Sequence, residues 1–148
     1  MSTTEPYRWN SNEAAVAYDK AASVIHPCYD EVQSRVLGCL PFEPQAEFTL
    51  VDLGGGSGRF LHRFLSRFSN ARGVLVDLSE AFLAIAKQKL AEFAPRVTLI
   101  QGRLQEDWES QLPETPQAIV SMSAIHHLEP AEKQQLYARC YQALSPGG

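Results

Sequence analysis

The segment best suited to touching a ligand is Gly54-Gly55-Gly56-Ser57-Gly58, which holds four of the nine glycines in this 148-residue chain. It follows the apolar run Phe48-Thr49-Leu50-Val51-Asp52-Leu53 and precedes Phe60, Leu61, Phe64, Leu65 and Phe68, which are spaced like one face of a helix. Glycine lets backbone approach a ligand without interference from Cβ, and the free N–H groups of a helix N-terminus favour anionic groups. A tight strand-to-helix turn would use the same residues. The dinucleotide pattern G-x-G-x-x-G begun at Gly54 needs glycine at 59; Arg59 stands there, which disfavours nicotinamide dinucleotides. Asp77 ends a second apolar run, Gly73-Val74-Leu75-Val76, 19 residues after Gly58. An acid there can accept hydrogen bonds from both hydroxyls of a ribose, or cap the helix that Ser79 begins. His126 and His127 follow a later apolar run, and are the candidate bases for an acceptor that must lose a proton. Packing of one ring into the sheet and of the other against the next helix is the structural reading. With no third ligand nearby they lack metal-site spacing, and no metal is expected.

Positioning these residues takes alternating strands and helices. The spacing predicts a helix over about 11–22 with a capping box from Asn10 to Glu13, and a second from Pro27 to about Leu40. Pro41 and Pro44 form a linker. Strands are expected at 48–53, 73–77, 97–100 and 118–122, with helices from about Gly58, from Ser79 to about Phe93, and from Pro130 to about Leu144. This order implies a Rossmann-like three-layer α/β/α sandwich with a mostly parallel sheet. Residues 1–44 read as an N-terminal helical cover and 45–148 as the core of one structural domain. Ligands in such sheets bind at the carboxyl ends of the strands.

Four motifs together carry a resemblance. Val51-Asp52-Leu53-Gly54-Gly55-Gly56-Ser57-Gly58 resembles the first motif of class I S-adenosylmethionine-dependent methyltransferases, and Leu75-Val76-Asp77-Leu78-Ser79 their second, acidic motif. Ala118-Ile119-Val120-Ser121-Met122-Ser123-Ala124-Ile125-His126-His127-Leu128 resembles the fourth-strand motif, and Leu144-Ser145-Pro146-Gly147-Gly148 the turn before strand five. The resemblance implies S-adenosylmethionine as cofactor and S-adenosylhomocysteine as product. It places Gly54, Gly56 and Gly58 along the methionine part, Asp52 toward the amino group, Asp77 on the ribose and Leu78 on the adenine. The third motif usually carries an acid; here Gly102-Arg103-Leu104-Gln105 stands, leaving adenine recognition to backbone groups of Arg103 and Leu104 or to Gln105. Ser121 is a further cofactor-binding candidate. The segment Tyr7-Arg8-Trp9 … Tyr18-Asp19 … His26-Pro27-Cys28-Tyr29-Asp30 is similar to the family's helical cover, with Tyr18 and Arg35 as candidates for the cofactor carboxylate or the acceptor. The implied function is methyl transfer to a small-molecule acceptor; the alternative is a non-catalytic domain that binds the cofactor or its product.

Composition limits the other classes. Apolar residues make up 45% of the chain, enough for a packed core. A net charge of −4, from 13 Lys plus Arg against 17 Asp plus Glu, disfavours a nucleic-acid partner. No apolar run approaches the roughly 20 residues that cross a bilayer. Three widely spaced cysteines, Cys28, Cys39 and Cys140, form no framework, and a cytoplasmic location is expected. The full family core has seven strands. A sheet that stops after strand four and its following helix has strand four as an edge, so either a longer protein or self-association through that edge is expected.

Overall fold

The computed structural model describes residues 8–148; Tyr7, the first residue of the expected cover segment, and the residues before it lie outside the described residues. Four strands, β1 (Thr49–Leu53), β2 (Arg72–Asp77), β3 (Val97–Gln101) and β4 (Ala118–Val120), form one parallel sheet in the order β3-β2-β1-β4. Leu50 pairs with Gly73 on one side and Ala118 on the other, and Gly73 pairs with Val97. Every residue of β1 is buried, as expected for a strand covered on both faces.

Successive strand residues point to opposite faces, and two cores result. Leu50 and Leu75 meet Phe48, Phe60, Phe64 and Phe68 on one face, under α3 (Arg59–Arg67) and α4 (Glu80–Lys89). Val51, Leu53, Val74 and Val76 meet Ile100, Trp108 and Leu136 on the other, under α5 (Pro130–Ala143). This is the α/β/α sandwich the alternating pattern predicts. The cover consists of a 3-10 turn at Arg8–Asn10, α1 (Asn12–Ile25) and α2 (Tyr29–Cys39). Ala15 of α1 packs on Ala81 and Phe82 of α4, with Trp9 and Tyr18 beside them.

Local departures from the sequence reading have identifiable causes. Ser11 rather than Asn10 caps α1, its side chain accepting from the Ala14 N–H, while the Asn10 side chain accepts from Glu80 N–H and serves α4 instead. The second helix starts at Tyr29, not Pro27, because Cys28 takes a left-handed backbone with φ 60°. β4 ends at Val120 rather than at 122: Ser121 Oγ donates to Leu53 O at 2.7 Å, and Ser123, at φ 58°, turns the chain away.

Candidate functional site

The strand order runs from β1 toward β2 on one side and to β4 on the other, so the crevice lies at the carboxyl ends of β1 and β4. The glycine loop fills this position. Gly54 N–H donates to Val76 O at 2.7 Å, fastening the loop to β2. Gly54 has φ +70°, and a Cβ there would lie 2.3 Å from Ala124 Cβ. The residue must therefore be glycine both for its backbone and for the close crossing of the segment after β4. A Cβ on Gly56 meets nothing within 4 Å, so that part of the loop faces open space.

Two carboxylates lie beneath the loop. Asp77 Oδ2 accepts from Gly56 N–H at 2.9 Å and Oδ1 from Ser79 N–H at 2.8 Å. Burial raises its pKa, with those two N–H groups pulling the other way. Each carboxylate oxygen retains acceptor capacity after one such bond. Asp52 is 2% exposed, and its Oδ2 is buried with no hydrogen-bond partner. Burial, and then the charge of Asp77, push its pKa up to about 7. An orphaned carboxylate oxygen under a glycine loop is suited to a cationic donor, because a buried charge is stabilised only by a partner.

Five of the expected site residues are gathered at the loop, and the others have surroundings of their own. Asp52, Gly54, Gly56, Gly58 and Asp77 come together. Leu78 is half-buried, and its carbonyl accepts from Gln101 Nε2 at 3.4 Å. Ser121 spends its hydroxyl on Leu53 O. Leu104 gives its carbonyl to Arg139, and the Arg103 carbonyl accepts from Glu106 N–H at 3.1 Å. The Arg103 side chain is exposed, 3.7 Å from Glu106. Tyr18 Oη is hydrogen-bonded to His26 Nε2 at 2.7 Å, with its ring edge-on to Trp9 and Phe82. Arg35 points to solvent, paired with Glu31 at 2.8 Å and 77% exposed. His126 and His127 sit on a 3-10 turn, Ile125–His127, with both rings exposed and 3.9 Å apart. Neither ring is buried in the sheet.

Sequence reasoning passed over a polar cluster beside the loop. Asp19 Oδ1 of α1 accepts from Lys89 Nζ at 2.7 Å, from Arg59 Nε at 3.0 Å and from Ser57 Oγ. Tyr29 adjoins it, its pKa raised by burial with the Arg59 charge opposing. One signal was available: Asp19 stands four residues after Ala15 and three before Ala22, both buried, so its charge lies on the inward stripe of α1. Among the described residues, no group of three or more His, Cys, Asp and Glu is arranged to hold a metal ion.

Comparison with known proteins agrees with this geometry. Residues 50–148 match the family described as a methyltransferase domain. The chain is 30% identical to mouse (Mus musculus) arsenite methyltransferase over 81% of this chain and 34% of that protein. It is 27% identical to malonyl-[acyl-carrier protein] O-methyltransferase 1 of Ilyobacter polytropus, over the whole chain and 52% of that protein. A methyltransferase from Geobacter sulfurreducens, solved with S-adenosyl-L-homocysteine, superposes with a TM-score of 0.63 at 25% identity, covering 89% of this chain and 52% of its own. The chain thus spans about a third of the first of these relatives and about half of the second. With the sheet order, the glycine loop and the paired acids in place, this chain belongs to the class I S-adenosylmethionine-dependent methyltransferase family.

Proposed function

We propose that the chain binds S-adenosylmethionine over the glycine loop and transfers its methyl group to a small-molecule acceptor. The orphaned Oδ2 of Asp52 carries this reading. It is a buried acceptor beneath the glycine loop, 2.9 Å from where a Cβ on Gly55 would lie, and the ammonium of the cofactor's methionine part supplies the donor it lacks. When bound, the cofactor supplies a methyl carbon activated by its sulfonium; the acceptor's lone pair forms the new bond as the carbon–sulfur electron pair returns to sulfur. The protein's contribution is then mainly proximity and orientation.

In this reading Gly54, Gly56 and Gly58 bring backbone against the methionine part, and Asp77 takes the ribose hydroxyls with the lone pairs its backbone bonds leave over. Leu78 packs on the adenine, with Arg103 and Leu104 along its edge; Ser121 and Tyr18 line the site. His126 and His127 remain the candidate bases on the acceptor side. Residues 1–44 act as the cover and 45–148 as the core. The arsenite methyltransferase named above supports a small acceptor, while the second relative's name specifies a malonyl group borne on a carrier protein. No helix among the described residues is long and apolar enough to cross a membrane, which fits the cytoplasmic site of action we propose. The free side of β4 is the surface we assign to pairing with a second copy.

Titration calorimetry with S-adenosylmethionine and S-adenosylhomocysteine tests the reading. Both ligands bind the wild type, and Asp77→Ala abolishes most of the affinity. Absence of binding by either sinks the cofactor assignment. Binding without methyl transfer over a broad acceptor panel leaves the non-catalytic alternative in its place.

A further inference from the structure

We propose that Asp19 is a positioning residue that latches the helical cover onto the glycine loop, so that docking of α1 and holding of the cofactor are one coupled event. The inference rests on the cofactor reading above and extends it to a residue outside the loop. Asp19 is the meeting point of groups from three other elements. Ser57 belongs to the loop itself, Arg59 opens α3 and Lys89 closes α4. All three converge on one carboxylate oxygen, and Arg59 also donates to the Asp19 carbonyl. Lys89 Nζ lies 3.4 Å from Ser57 Oγ as well, closing the cluster on itself.

The cluster is sheltered. The Asp19, Lys89 and Arg59 side chains are 17%, 25% and 31% exposed, so their attraction is screened less than that of a surface pair. Its other attachments fix the same two bodies together. Ser79 Oγ donates to Trp9 O, and Ala15 packs against Ala81 and Phe82. These contacts seat the cover on α4, whereas Asp19 connects it to Ser57, which stands between Gly56, facing open space, and Gly58, packed on Ala86 and Leu90. A ligand that orders the loop therefore also favours the docked cover, and loss of the latch weakens the ligand by the coupling between them.

Hydrogen exchange and calorimetry with S-adenosylhomocysteine on the 148-residue chain test this, using Asp19→Asn, Lys89→Met and Lys89→Arg. In the wild type, ligand slows exchange in residues 11–26 and 54–59 together. Asp19→Asn and Lys89→Met speed exchange in both segments without ligand, leave the sheet protected, and weaken binding about tenfold. Lys89→Arg, which keeps the cation, stays within about twofold of wild type. Unchanged affinity in Asp19→Asn overturns the latch. So does faster exchange spread evenly over the sheet, or a Lys89→Arg as weak as Lys89→Met. If the wild type binds no ligand, the cofactor reading fails by itself; the exchange rates of the free proteins still decide whether Asp19 holds the loop.

Discussion

Gly54 and Asp52 set the tolerances of the site at the scale of single residues. Gly54→Ala forces a side chain into left-handed backbone, at about 1–2 kcal/mol, and drives its Cβ into Ala124. A melting-temperature drop of roughly 5–10 °C is expected. Ala124→Gly in the same chain returns the part due to the collision and leaves the part due to φ, so the two changes are non-additive; thermal melts of the two singles and the double check this. Asp52 titrates in the folded state near pH 7 but near its ordinary value of 3.8 when unfolded. Between those values the native state holds the extra proton, so this group's contribution to stability falls as pH rises across that window. Asp52→Asn removes the titration. It is expected to be progressively more stable than wild type from pH 5 to pH 8, yet to bind S-adenosylhomocysteine about ten- to hundredfold more weakly, since a charged hydrogen bond is lost. In the wild type an ammonium partner favours the ionised carboxylate, so binding below pH 7 releases a proton and weakens as pH falls. Calorimetry in two buffers of different ionisation enthalpy reads that proton directly.

The elements that carry these residues differ in how plainly the sequence announces them. The strands were legible because Leu50-Val51 and Val74-Leu75-Val76 are apolar on both faces, and α5 because Pro130 fixes its first turn. The glycine loop and Asp77 were legible because their chemistry is local: one turn and one strand tip. What could not be read was assignment between elements. The expected cap of the first helix, Asn10, instead accepts from Glu80 N–H in the first turn of α4, whose own cap is Ser79, and nothing local distinguishes those partners. Asp19 was hidden for the same reason, as its three donors are 38 to 70 residues away. The latch predicts an element-scale response to acid. Burial tends to raise the Asp19 pKa, but Lys89, Ser57 and Arg59 together hold it below the usual carboxylate range. Its contribution to docking is therefore complete above about pH 4 and is lost as pH falls through the lowered value. The chain has two tryptophans, Trp9 packed against the cover's Tyr18 and Trp108 fully buried under α5. In nitrogen-15 correlation spectra the Trp9 indole signal is expected to shift below pH 4 before the Trp108 signal does; simultaneous movement means that the cover has no release of its own.

At the scale of the whole sheet formed by residues 49–120, β4 is one of the two edge strands. Its three residues are only half-buried, while β1 beside it is completely so. Gln117 N–H donates inward to Thr49 O at 2.9 Å, and alternation along the strand turns Ile119 N–H inward as well. The N–H groups of Ala118 and Val120 then face away from β1, unpaired within this sheet. An edge with free donors on an apolar strand is a template for another strand. In the pairing proposed above, two copies meeting there would extend the sheet through an isologous contact, which closes on itself. Light scattering of the chain is expected to show mass rising toward twice that of the monomer with concentration. Val120→Pro deletes one outward donor and none of the inward ones, and proline is tolerated on an edge strand. This variant is expected to stay monomeric with the circular dichroism of the wild type. Association that survives Val120→Pro instead moves the contact to another surface, such as the α5 face where Tyr137 and Tyr141 are exposed. A wild type monomeric at every concentration removes the proposed pairing at this edge.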